Sequence, residues 1–127
     1  MGIFDVFKRK STFKKLDKMW ALWEQGQLQL PCAKLMTYES EVNNGGHSQY
    51  FYNLANSGNL AEAEELLSLL PAPLLQNLNR AYIAFVSQEN IDDDINEALF
   101  EQCDEVFLEH EQILIDMLYE AAKGLKF

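Results

Sequence analysis

A row of carboxylates spaced four residues apart is the clearest candidate binding site in this sequence. Glu97, Glu101, Glu105 and Glu109 follow one another at intervals of four. On a helix they would form one line with about 6 Å between neighbours, and each like-charged pair would cost about 0.2–0.5 kcal/mol. Such an array is suited to bind a basic surface through charge, and it predicts interaction rather than catalysis. The alternative is a solvated face that only keeps the protein soluble.

The helix that carries this row is predicted over about residues 93–123. A broad apolar side alternates there with an acidic side, which is typical of a helix that packs on a core. We refer to seven carboxylates as the predicted acidic face, and they are the candidate binding residues: Glu97, Glu101, Asp104, Glu105, Glu109, Glu111 and Asp116. Leu108 and Ile115 lie on this side, seven residues apart. They would touch another helix or a partner subunit, so a homodimer is one alternative, and two isolated exposed residues are the other.

A second cluster combines amides, glycines and aromatic rings in one short stretch, which we call the glycine corner. Its candidate residues are Asn43, Asn44, Gly45, Gly46, His47, Gln49, Tyr50 and Asn53. The structural interpretation is a turn between two helices, with the asparagines capping the first helix. Gln49 and Asn53 would then bond back to the turn, and Tyr50 would enter the core. The functional alternative is a recognition module that binds a peptide or a small ligand.

Catalytic signals are few. The sequence has no phosphate-binding glycine loop, dinucleotide fingerprint or nucleophile elbow. His110 falls on the apolar side of the last helix, and His47 is expected to be exposed in the glycine turn. A metal site would need His47 with Glu39 and Glu41, and no two-histidine or Glu-x-x-His pattern supports one. We therefore expect a non-enzymatic protein with no cofactor and no metal, and an enzyme or metal site at His47 is the third hypothesis.

The charge of the chain is segregated. The net charge is −10 over 127 residues, yet residues 1–18 carry six basic and two acidic residues, or +4, and residues 19–127 carry −14. An acidic body repels nucleic acid and anionic lipid and attracts basic proteins. We expect a basic protein surface as partner, such as that of a DNA-binding protein, with no direct nucleic-acid binding and no stable membrane association.

The two cysteines and the N-terminus predict a compartment. Cys32 and Cys103 have no zinc or redox spacing, which favours buried thiols in a reducing environment. The chain starts without the apolar run of a signal peptide, and no stretch approaches the 18 apolar residues of a membrane helix. We therefore expect a cytoplasmic protein.

The elements that must position these residues are predicted to be helices only. The expected fold is all-α, one compact domain of about six helices over residues 11–127, preceded by a basic N-terminal arm over residues 1–10. Ser11 or Thr12 would cap the first helix and Gly26 would end it. The remaining helices are expected from Pro31 to Asn44, from Ser48 to Ala55, from Leu60 to Leu70, from Pro73 or Leu74 onward, and from about residue 93 to Lys123, where Gly124 follows.

The stretch from Glu41 to Asn53 resembles the hallmark of a small bacterial family of acidic helical proteins. That family is long catalogued as a domain of unknown function, and its named members are DNA mimics. The matching residues are Glu41, Val42, Asn43, Asn44, Gly45, Gly46, Gln49, Tyr50, Phe51 and Asn53. The acidic helix from Cys103 to Leu118 is also similar, so the resemblance covers about residues 13–122. It implies a helical fold and a protein that binds DNA-binding proteins in place of DNA.

Two features depart from that family. His47 stands where an aromatic residue is usual, and the basic N-terminal arm has no counterpart. Because most members have no established role, the resemblance is more specific for the family than for a function.

Overall fold

The structure, a computed structural model, describes residues 3–26, 32–87 and 94–125, with side chains described over 9–26, 32–87 and 96–125. Five helices follow in chain order: α1 Ile3–Glu24, α2 Ala33–Asn56, α3 Ala61–Leu67, α4 Ala72–Ser87 and α5 Asp94–Lys123. The described ranges contain no strand, and the predicted all-α class is confirmed. Within the described ranges the count is five rather than six, because α2 continues through the glycine corner, with a kink where two separate helices were expected.

The first helix differs from the prediction at its start. α1 begins at Ile3, so neither Ser11 nor Thr12 caps it, and residues 3–10 continue into the helix. No glycine or proline lies between Ile3 and Gly26 to stop a helix, and Thr12 is instead buried in its middle. The predicted start of the second helix at Pro31 and that of the last helix at about residue 93 lie outside the described residues.

Glycines end the helices as the sequence predicts. Gly26 has φ +79° and Gly58 has φ +75°, a left-handed backbone that is unfavourable for residues with a Cβ. After α2 the Asn59 amide donates to the Leu54 carbonyl at 2.8 Å and the Gly58 amide to the Ala55 carbonyl at 3.2 Å. This paired pattern is the Schellman motif. This turn separates α2 from α3.

The chain divides into two compact units, Met1–Met36 with Gln112–Phe127, and Thr37–Glu111. In the described part of the first unit, Met19, Cys32 and Met36 are buried together, with the Cys32 Sγ 3.3 Å from the Met19 Sδ. Cys32 and Cys103 are both free and buried, as predicted. Burial is the main cause of the raised pKa of each thiol. Among the described residues, no helix is long and apolar enough to cross a membrane.

The second unit has an aromatic core. The rings of Tyr38 and Phe107 meet edge to face at 5.4 Å, and those of Phe51 and Phe85 stack at 5.2 Å. Asn77 of α4 is buried and donates from Nδ2 to the Cys103 carbonyl of α5 at 2.8 Å. These contacts join α2, α4 and α5 around the glycine corner.

Candidate functional site

The glycine corner is a kink inside α2. Gly45 has φ −151° and ψ 16°, and Gly46 has φ 78° and ψ −177°. The conformation of Gly46 is one that only glycine adopts readily. A Cβ on Gly46 would collide with the Asp104 carboxylate, and a Cβ on Gly45 would collide with the Gln49 side chain. The predicted interruption of the helix is therefore confirmed at the two glycines, and no described residue other than glycine has positive φ, so Asn43 and Asn44 do not share in it.

His47 is fully buried, and the expectation that it would be exposed is wrong. Its Nε2 lies 2.7 Å from the Tyr38 hydroxyl and its Nδ1 lies 2.6 Å from Asp104 Oδ1. Its backbone N–H donates to the same Asp104 oxygen at 2.8 Å. The kink at Gly46 directs the histidine into the core, where both ring nitrogens have partners. Within the described part of the chain, no group of three or more His, Cys, Asp or Glu residues could hold a metal ion.

Asp104 belongs to the predicted acidic face, but its carboxylate points to the corner. One oxygen accepts from both the ring and the backbone of His47, and the side chain is one-third exposed. A hydrogen bond to a carboxylate contributes about 1.5–3 kcal/mol. Asp104 therefore joins α5 to the kink in α2, and it differs from the freely exposed carboxylates of the same helix.

Glu41 is the acceptor that the corner's amides use. Its Oε2 accepts from Gln49 Nε2 at 2.8 Å and from Asn53 Nδ2 at 2.7 Å. These two amides were predicted to bond to the turn itself, and their partner is instead the Glu41 carboxylate in the helical segment before the turn. This clamp joins the helical segments before and after the kink.

Glu39 and Glu111 form a carboxyl pair with Asn43. Asn43 Nδ2 lies 2.7 Å from Glu39 Oε1, 3.0 Å from Glu111 Oε1 and 2.9 Å from the Glu39 carbonyl oxygen. Burial, followed by the hydrogen bond and charge of Glu111, raises the pKa of Glu39 to about 7. Glu111, another residue of the predicted acidic face, is therefore also engaged with the corner.

The aromatic residues of the corner are core residues. Tyr50 and Phe51 are fully buried, as predicted. Burial is the main cause of the raised pKa of the Tyr38 and Tyr50 hydroxyls. The Tyr50 hydroxyl is the one buried side-chain oxygen or nitrogen among the described residues that lacks a hydrogen-bond partner.

The remaining carboxylates of the predicted acidic face point outward. Glu97, Glu101, Glu105 and Glu109, which we call the exposed row, are all exposed. Among the described residues, no lysine or arginine forms an ion pair with any of them. Asp116 is exposed in the other unit, where Gln112 donates to it at 2.9 Å.

The unit that carries the exposed row is strongly acidic. Residues 37–111 contain fifteen acidic residues and one basic residue, Arg80, for a net charge of −14. Arg80 donates to Gln102 Oε1 at 2.9 Å, beside the row. Row neighbours about 6 Å apart lie within one Debye length at physiological salt, so that their potentials add. The row can therefore attract a cationic surface.

Leu108 and Ile115, predicted to touch another helix or a partner subunit, are both exposed. Leu108 is 62% exposed in the second unit, and Ile115 is 39% exposed in the first. On α4, Ile83 is 53% exposed. Leu108 is the most exposed large apolar residue among those described.

Sequence reasoning missed two residues of α2 that hydrogen-bond to the corner. Tyr38 bonds to His47, and Glu41 accepts from Gln49 and Asn53. A tyrosine and a carboxylate within one to three turns of an Asn-Asn-Gly-Gly-His run were available as signals. What they bond to depends on the bend at Gly46, and sequence spacing alone does not give that bend.

One comparison with known proteins gives a match. The family model described as DMP19-like protein matches residues 27–124 of this chain, which leaves out α1. No curated protein and no solved structure matches the sequence.

Proposed function

The chain belongs to the DMP19-like protein family, and we propose that it is a non-enzymatic interaction protein whose exposed row binds a basic surface of another protein. The proposed partner is a protein that itself uses that surface for nucleic acid, so that the row occupies the place of phosphates. The similarity of residues Glu41–Asn53 to the motif of DNA-mimic proteins points in the same direction.

One observation carries the proposal: four exposed carboxylates stand in a line without a described cationic partner. Three like-charged pairs in this row together cost about 1 kcal/mol of helix stability. A basic partner removes that cost when it docks, and it releases the counterions that the row holds, as happens at a phosphate backbone. The binding energy of such a complex is electrostatic, and it falls as salt rises.

The first experiment identifies and measures the partner. The immobilised protein is exposed to a bacterial lysate at about 50 mM salt, and bound proteins are eluted at about 200 mM salt and identified. A purified partner is then titrated against the wild type, and DNA is added as a competitor. We expect affinity to fall steeply with salt and DNA to displace the protein from its partner.

Two variants with equal charge change test the position of the site. Glu101→Lys combined with Glu105→Lys reverses the middle of the exposed row. Asp17→Lys combined with Glu24→Lys makes the same charge change at exposed positions on α1. The first should weaken binding at least about tenfold, and the second should leave it nearly unchanged. Equal losses in both variants would mean that net charge, and not the row, determines binding.

The second hypothesis places the site at the glycine corner. In its favour, Asn44 is exposed beside the kink. The other amides of the corner, however, bond to Glu39, Glu41 and Glu111, and this supports a structural role. The test is Asn53→Ala: if it removes partner binding in a fully folded protein while the row variant binds normally, the corner is the site.

A further inference from the structure

Leu108 is an exposed apolar residue beside the exposed row of α5. Along α5 the positions beside it on the helix surface, at three and four residues, are Asp104, Glu105, Glu111 and Gln112. Asp104 and Glu111 also bond to the glycine corner, whereas Glu105 belongs to the exposed row. A lysine at this position would lie within reach of the Glu105 carboxylate, whereas leucine offers it no partner. With 62% of it exposed, most of its apolar surface remains in water.

We propose that Leu108 is the apolar anchor of the acidic face, and that the partner is a basic protein segment carrying an apolar side chain among its lysines or arginines. This proposal rests on the proposed function of the exposed row. The negative charge of the face requires a partner segment with positive charge. A partner surface that binds only phosphate groups needs no apolar contact, because phosphate has no apolar atoms. Such a surface would bind the carboxylates of the row and leave Leu108 exposed. A segment with a central apolar residue would bury Leu108 while its cations reach the carboxylates on either side.

A second copy of this unit is a poor occupant for the same face. Pairing two such faces would bring rows of glutamates together, with Arg80 as the one basic residue in residues 37–111. Like charges at close distance oppose that arrangement. Interface binding energy is concentrated at side chains that become fully desolvated while the contacts around them exclude water, and the proposal gives Leu108 that position.

The test uses two synthetic helical peptides of equal positive charge, which differ only in a central leucine or serine. Each is titrated against the wild type, Leu108→Ser, and the control Ile83→Ser, which removes an exposed apolar residue of α4. The leucine peptide should bind the wild type about tenfold more tightly than the serine peptide. That difference should vanish in Leu108→Ser, persist in Ile83→Ser, and remain when salt is raised, because apolar contact is not screened.

The possible results separate the two proposals. If both peptides bind the wild type equally and with strong salt dependence, Leu108 is not an anchor, and the proposed function of the exposed row stands. If the leucine peptide keeps its advantage in Leu108→Ser, the anchor is elsewhere and this inference fails. If neither peptide binds, or if Glu101→Lys combined with Glu105→Lys leaves binding unchanged, the proposed function itself fails.

Discussion

Gly46→Ala tests the architecture of the corner most directly. Gly46 has φ 78° and ψ −177°, a conformation that costs a residue with a Cβ about 1–3 kcal/mol. The new Cβ would also displace the Asp104 carboxylate, which carries two hydrogen bonds from His47. Losing the bonds to this charged group adds about 1.5–3 kcal/mol. We therefore expect a loss of about 3–5 kcal/mol in the free energy of unfolding.

Gly58→Ala is the matched control. Gly58 has φ +75° and no atom within 4 Å of an added Cβ, so only backbone strain of about 1–2 kcal/mol applies. In urea unfolding, Gly46→Ala should lower the midpoint by about 2 M and Gly58→Ala by less than about 1 M. Adding Asp104→Ala to Gly46→Ala should cost less than the sum of the two single changes, because the collision is then absent. Equal midpoints for the two glycine variants would refute this account of the kink.

Two further predictions concern His47 and Glu39, which belong to the same unit. His47→Phe should lower the free energy of unfolding by about 2–3 kcal/mol, because the Tyr38 hydroxyl is left buried without its partner. Tyr38→Phe in the same chain should recover about 1 kcal/mol in a double-mutant cycle, and strict additivity would contradict the hydrogen bond. The pKa of Glu39 is raised from 4.5 to about 7, so the folded state binds more protons than the unfolded state between these values. Stability should therefore fall as pH rises through this window, by about 1–2 kcal/mol after allowance for solvent screening. Glu39→Gln should flatten that part of the pH profile of thermal unfolding, and an unchanged profile would show that Glu39 does not titrate there.

The helix limits were largely predictable because glycine and proline act locally. Gly26, Gly58 and Gly124 follow the ends of α1, α2 and α5, and their conformational freedom is a property of the residue itself. The start of α1 was not predictable from Ser11 or Thr12. Serine and threonine also occur inside helices, so their presence does not by itself mark a helix start. No glycine or proline between Ile3 and Ser11 stops the helix from extending toward the N-terminus.

The direction of the polar side chains could not be read from local spacing. His47 and Asp104 are 57 residues apart, and Asn43 and Glu111 are 68 apart. A helical wheel correctly places Asp104 and Glu111 on the border of the acidic side of α5. Whether such a border residue faces solvent or a neighbouring helix depends on tertiary packing, which the wheel does not contain. The exposed row was predictable because it lies at the centre of that side.

The corner and the exposed row are connected through α5, and this affects how binding experiments are interpreted. Asp104 fixes α5 against the kink and is followed directly by Glu105 of the row. A variant that breaks the Asp104 contact, such as Gly46→Ala, can therefore weaken partner binding by moving the row. Asn53→Ala leaves the Asp104 contact intact, because Asn53 bonds to Glu41. Lost binding in Gly46→Ala alone would thus indicate a scaffold for the row, whereas lost binding in folded Asn53→Ala would indicate direct contact at the corner.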